Sequence, residues 1–269
     1  SAYKDIAELS ERIFAASRLT GIGLTHLPVL YAFGGAGEKP LAGGQSRFGN
    51  DFDRYLKLQE TVRGALSAMP DDTAIGCAPH SLRAINPAML GEAAAAFSSG
   101  PFHMHIAEQT REVEDINAWL GARPVEWLLD NAPVGSNWCL IHATHMDETE
   151  TRRAAQSGAV AGLCPITESS LGDGIFNGLD WIANHGNYGI GSDSNIRISA
   201  PLELATLEYS QRLKHRERNV MAAGPGSTGM MLYTKALAGG AQALGRASGA
   251  IKAGLWADLA AINTDHPAL

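Results

Sequence analysis

Two histidines and a glutamate stand close together in "HMHIAEQ" (103–109): His103, His105 and Glu108. Alternate residues of an extended strand share a face, so His103 and His105 point the same way. Glu108 falls just past the strand end, where a loop can turn it back over the same cavity. Imidazole with carboxylate can bind a divalent cation or move a proton near neutral pH. "LIHATHMDETE" (140–150) closes an apolar run with His142 and places His145 three residues on. "GIGSDSN" (189–195) ends another run in Asp193, and "APHSLRA" (78–84) offers His80 and Arg83. The planar guanidinium of Arg83 suits bidentate capture of a carboxylate or phosphate. Taken singly, each group has a plainer reading. His103 and His105 could be hydrogen-bonded core residues, Glu108 a cap on the helix that begins "QTREVEDI", Asp193 a helix cap and Arg83 half of a surface ion pair.

These groups act together only if the fold brings their segments side by side. The spacing predicts strands at 22–30, 73–79, 102–107, 137–143, 159–164 and 188–193, with amphipathic helices at 51–69, 86–99, 124–132 and 147–158. Strand and helix in alternation mean a parallel sheet with helical crossovers. Such strands fit a doubly wound sheet or part of a (β/α)8 barrel. Nearly every strand ends in groups fit for chemistry, and catalytic groups drawn from many strand ends mark a barrel, whereas a doubly wound sheet gathers its ligand at one switch point. The expectation is therefore an α/β fold, a (β/α)8 TIM-type barrel. Beyond residue 200 the pattern predicts a helix over 201–222, a Gly-rich turn and a helix over 231–244. The tail alternates like short strands. The division that follows is a barrel over 1–245 and part of a small β-sandwich domain over 246–269.

Composition excludes several functions. A formal net charge of −7 argues against a nucleic-acid footprint, and the densest basic run, 211–219, reads as a solvated helix face. No stretch is long and apolar enough to span a bilayer, and the first residues lack a signal-peptide pattern, so a cytoplasmic protein is expected. Cys77, Cys139 and Cys164 are scattered through strand-like runs and read as buried, reduced thiols. His145 falls in a turn as a loop brace, and Asp147 to Glu150 start a helix, where acids favour the dipole.

The strand order His105-x-x-Glu108, His142, Asp193 resembles the deaminase branch of the amidohydrolase superfamily. The segments "GIGLTHLPVLY", "APHSLRA", "HMHIAEQ", "LIHATHMDETE", "GLCPITESSLGDGIF", "GIGSDSN" and "LEYSQRL" extend that resemblance over nearly the whole chain. It implies metal-assisted hydrolysis of a C–N bond in a small-molecule substrate. One divalent ion, Zn²⁺ first and Fe²⁺ second, would be held by His105 and Asp193. Glu108 would shuttle protons to the substrate nitrogen, and His142 would orient the hydrolytic water, with Asp193 sharing in the catalysis. Within the branch the likeness is to members acting on a linear amidine that carries two carboxylates, with His80 on the amidine and Arg83 on a carboxylate. The alternatives are a deaminase or chlorohydrolase acting on a nitrogen heterocycle, or an inactive truncated barrel. The branch's first strand carries a His-x-His pair, and none stands upstream of residue 20. The resemblance thus implies a barrel incomplete at its N-terminus, a tail that stops early, half of the metal's protein ligands, and a homodimer.

Overall fold

The computed structural model describes residues 4–222 and 226–265. The first predicted strand forms as two short pieces, β1 (Thr25–His26) and β2 (Val29–Leu30), and the second as β3 (Ala74–Ile75) and β4 (Ala78–Pro79). The interruption has a local cause. Ala74, Gly76, Ala78 and His80 donate to Leu24, His26, Pro28 and Leu30 at 2.8–3.2 Å, but Pro28 has no N–H to return to Gly76. The Gly76 carbonyl accepts from the Gln59 side chain instead, at 2.9 Å. The other strands are β5 (Phe102–Ile106), β6 (Trp138–His142), β7 (Val160–Leu163) and β8 (Asn187–Ile190).

All pairings between these strands are parallel, in the order β5-β6-β7-β8, and bridges Cys77↔Phe102 and Ser81↔His105 join β5 to the run before it. Consecutive strands lie side by side without a reversal of order, which is the arc of a (β/α)8 barrel and not the switched order of a doubly wound sheet.

The crossovers are helical: α1 (Glu8–Thr20), α2 (Phe52–Gly64), α3 (Pro87–Ala96), α4 (Thr110–Leu120), α5 (Pro124–Asn131), α6 (Glu148–Gln156), α7 (Pro165–Leu171), α8 (Gly178–Ala183), α9 (Ala200–His215) and α10 (Thr228–Ala243). Their starts follow from sequence. Asp51, Asn86, Asp147 and Ser199 each accept a backbone N–H of the first turn, and Asp147 with Glu150 forms a reciprocal capping box. The helix predicted over 201–222 stops at His215, where Arg216 turns left-handed.

Register fixes the two faces of the sheet. Met104, Leu140, Ala161 and Tyr188 lie in one row, and His105, Ile141, Gly162 and Gly189 in the next. The first row packs with Phe102, Ile106 and Trp138 against Leu90, Ile116, Val125, Leu128 and Trp181 in one apolar core. Each such fully buried side chain contributes roughly 1.5–3 kcal/mol. The second row is the inner face, and it carries the candidate chemistry.

At the N-terminal ends of the strands, α10 closes in on β8. A Cβ on Gly239 would collide with the Tyr188 carbonyl, so helix and strand meet backbone to backbone. The last turn of α10 receives His103, whose Nε2–H donates to the Ala243 carbonyl at 2.7 Å. Arg246, its side chain 6% exposed, then ties the following segment to Asp72, through its carbonyl at 2.7 Å and its carboxylate at 3.1 Å. The strand-like alternation of the tail forms no strand among described residues 246–265. A strand needs a partner for its backbone groups, and none lies beside it there.

Candidate active site

Left-handed backbone recurs at the C-terminal ends of these strands. Ala107 (φ 50°), His142 (67°), Ala143 (48°) and Asp193 (53°) all adopt it, a conformation that costs free energy in non-glycine residues and clusters at functional sites. Its effect is clearest at His142. Simple alternation would send this side chain to the helix-covered face with Trp138 and Leu140. The turn brings its ring to 5.6 Å from that of His105.

Glu108 sits between a guanidinium and an imidazole. Its Oε2 accepts from the Arg83 guanidinium at 3.0 Å, and its Oε1 lies 3.9 Å from His142 Nε2. It does not cap α4. Glu112, in the first turn of that helix, reaches back to accept from the Ala107 and Glu108 N–H groups, both at 3.0 Å, with the Arg83 Nε 3.7 Å away. Burial pushes the Glu112 carboxyl up, and Arg83 opposes the rise. The Glu108 backbone is thus held by a buried carboxylate while its side chain stays turned into the site.

His80 stacks on His105, with centroids 4.8 Å apart and rings 28° from parallel, and meets Tyr31 edge-on. Burial, with the neighbouring His105 and Arg83, pulls its pKa down to about 3, so the ring is neutral. His105 donates Nδ1–H to the His80 carbonyl at 2.8 Å, and burial lowers its pKa too. That tautomer leaves Nε2 with a free lone pair, the arrangement found in metal-binding histidines.

Burial pulls His142 down as well, but the Glu168 hydrogen bond and the charges of Glu168, Glu108 and Asp193 outweigh it and raise its pKa. Glu168 is the nearer carboxylate: Nδ1–H donates to its Oε1 at 3.2 Å, shorter than the approach to Glu108.

His80, Arg83, His105, Glu108 and His142 are therefore gathered at one end of the sheet, whereas Asp193 lies at its rim. Asp193 is exposed and accepts from the Ser194 N–H at 2.6 Å, and α9 is capped by Ser199. Its charge reaches His105 and His142, but no ion pair or hydrogen bond between described residues joins it to either. Among the described residues no group of three or more His, Cys, Asp or Glu is close enough to hold a metal. His105 and Asp193 offer the donor types that a divalent ion takes, an imidazole nitrogen and a carboxylate oxygen. His103 belongs to the opposite end of β5, and His145 braces a loop, donating to the Asp173 carbonyl at 2.6 Å. The three cysteines are free and buried.

The family model for the amidohydrolase family matches residues 40–268. The chain belongs to the amidohydrolase family. This amidohydrolase is 47% identical to formimidoylglutamate deiminase of Pseudomonas aeruginosa over its whole length, which is 59% of that protein. It is 29% identical over 81% of its length to 5-methylthioadenosine/S-adenosylhomocysteine deaminase of Natronomonas pharaonis, covering 50% of that relative. The chain thus spans about half to three fifths of the curated relatives it matches. Among solved structures, an amidohydrolase from Brucella melitensis superposes with a TM-score of 0.89 at 50% identity, over 91% of this chain and 55% of that one. An adenosine deaminase from Xanthomonas campestris with bound zinc shares the fold, with a TM-score of 0.76 at 21% identity, over 93% and 54% of the two chains.

Sequence reasoning missed three carboxylates of this amidohydrolase: Glu112, Glu168 and Asp173. Glu112 and Glu168 stand in the first turn of a helix, where an acid is expected for the dipole, so their burial at 2% and 6% exposure carries no sequence signal. Asp173, in "LGDG", accepts from Gln109 at 3.0 Å and leaves its other oxygen unpartnered. Among the described residues no helix is long and apolar enough to cross a membrane.

Proposed function

We propose that the protein to which this chain belongs hydrolyses N-formimino-L-glutamate to N-formyl-L-glutamate and ammonia, the deimination of histidine degradation. The observation that carries this is the likeness, along the whole chain, to formimidoylglutamate deiminase. The cluster of Arg83, Glu108, His105 and His142 at adjoining strand ends supports it.

His105 and Asp193 would contribute ligands to one divalent ion, zinc by preference. When bound, such an ion acidifies a water and makes it nucleophilic at neutral pH. The remaining chemistry falls to side chains. Glu108 takes a proton from the attacking water and returns it to the substrate nitrogen. His142 orients the water, and neutral His80 contacts the formimino group. Water adds to the formimino carbon, the C–N bond to the terminal nitrogen breaks, and ammonia leaves with the transferred protons. Arg83 receives a substrate carboxylate. That exchange would loosen its hold on Glu108 and free the carboxylate as a base.

The test is ammonia release from N-formimino-L-glutamate by the full-length protein, with and without chelator. Activity should vanish on chelation and return with zinc or iron. Glu108→Gln should lower kcat by about 10²–10⁴-fold, and Arg83→Ala should act mainly on KM. Absence of turnover after metal restoration refutes the reading. Turnover of a purine or triazine ring that Arg83→Ala leaves unharmed would assign a heterocyclic substrate instead.

A further inference from the structure

We propose that Glu168 is a positioning residue that sets which nitrogen of His142 faces the reacting groups. One oxygen, Oε1, accepts from both His142 Nδ1 at 3.2 Å and the Cys164 N–H at 2.8 Å. A carboxylate only accepts, so it fixes the proton on Nδ1 and turns Nε2 toward Glu108. A hydrogen bond of this kind settles tautomer and orientation together, and losing it disables a histidine even when the ring remains in place.

The mount is stiff. Glu168 lies in α7, whose first turn is pinned from two sides: the Ile166 N–H donates to Glu203 at 2.8 Å, and the Thr167 hydroxyl to the Ser192 carbonyl at 3.1 Å. Position 168 is therefore held relative to the ends of both β7 and β8. The plainer reading makes Glu168 a brace for the start of α7 through Cys164. A brace needs an acceptor but no charge, and burying a carboxylate is unfavourable unless a cation or strong donors meet it. The His142 Nδ1–H is the side-chain donor that meets it, beside the Cys164 N–H.

The inference rests on the deiminase reading only for its kinetic arm. In the full-length, metal-loaded enzyme, Glu168→Met removes the one oxygen that His142 Nδ1–H and the Cys164 N–H share. The proton should then move from Nδ1 to Nε2, visible in the ¹⁵N shifts of the ring. The kcat for N-formimino-L-glutamate should fall about 10–100-fold with KM changed less than about twofold. In a His142→Asn background the same substitution should cost nothing further. Wild-type ring shifts with only a lowered Tm would overturn the proposal, and so would an equal kcat loss in both backgrounds. If Glu168→Met does not fold, Glu168→Asp, too short to reach both donors, is read by the same criteria. If the enzyme does not turn over N-formimino-L-glutamate, the deiminase reading fails, and the ring shifts alone decide the role of Glu168.

Discussion

Removing the Glu112 carboxylate should unfasten the backbone under Glu108. In Glu112→Ala the Ala107 and Glu108 N–H groups, each bonded at 3.0 Å, lose their acceptor inside the protein. An orphaned buried donor costs about 1–3 kcal/mol. Loss of the 3.7 Å approach to Arg83 adds little, because Arg83 keeps Glu108 and its side chain is 29% exposed. Burial opposes the Glu112 charge, as its raised pKa records, so deleting the group recovers part of the loss. The net expectation is a destabilisation of about 3 kcal/mol, or roughly 6–12 °C in Tm. Glu112→Gln keeps one acceptor and turns an N–H₂ on the second donor, so it should fall between wild type and alanine. Urea denaturation of the full-length protein measures both, and kcat should fall with Glu112→Ala because Glu108 loses its anchor. A change below about 1 kcal/mol, with kcat retained, would refute the reasoning.

Adjacent glycines of α10 should respond with opposite signs. Gly239→Ala drives a methyl into the Tyr188 carbonyl and should cost about 1–3 kcal/mol, whereas Gly240→Ala meets nothing within 4 Å and should stabilise the helix by about 0.5–1 kcal/mol, both read from thermal melts. Arg246→Met strips Asp72 of its buried partner and should cost about 3 kcal/mol by the same measurement. His26, buried against Ser10 and Phe14, has its pKa lowered by burial from 6.5 to about 4. A folded-state pKa below the unfolded value means that the neutral ring's contribution is complete above pH 6.5 and is lost as pH falls toward 4. About 2 kcal/mol should disappear across that window after allowance for screening, and a His26→Gln variant should show a correspondingly shallower pH dependence of stability.

The strands and most helices were legible because their periodicity and caps are local properties. Asp51, Asn86 and Asp147 announce their helices, and each predicted strand forms within its expected span, save that β8 begins one residue early, at Asn187. The site was legible as a set of strand-end residues, but its wiring was not. Alternation cannot foresee the left-handed turn that swings His142 toward His105, and no spacing rule links it to Glu168. The sequence pairs His142 with Glu108, and the structure gives Glu168 the shorter contact. Asp193 illustrates the converse: its type and position suggest a ligand, while its carboxylate turns to its own neighbour's N–H. In the tail, strand-like alternation describes a preference that only a neighbouring strand can satisfy.

The left-handed turns also narrow which amino acids can occupy this end of the sheet at all. Histidine, asparagine and aspartate tolerate that region better than most side chains, and branched residues such as valine or isoleucine tolerate it poorly. Positions 142 and 193 hold a histidine and an aspartate, at φ 67° and 53°. Backbone shape and chemistry thus draw on the same short alphabet there. A substitution meant to probe reactivity alone, such as His142→Val, will also test the turn, whereas His142→Asn changes the ring and spares the backbone.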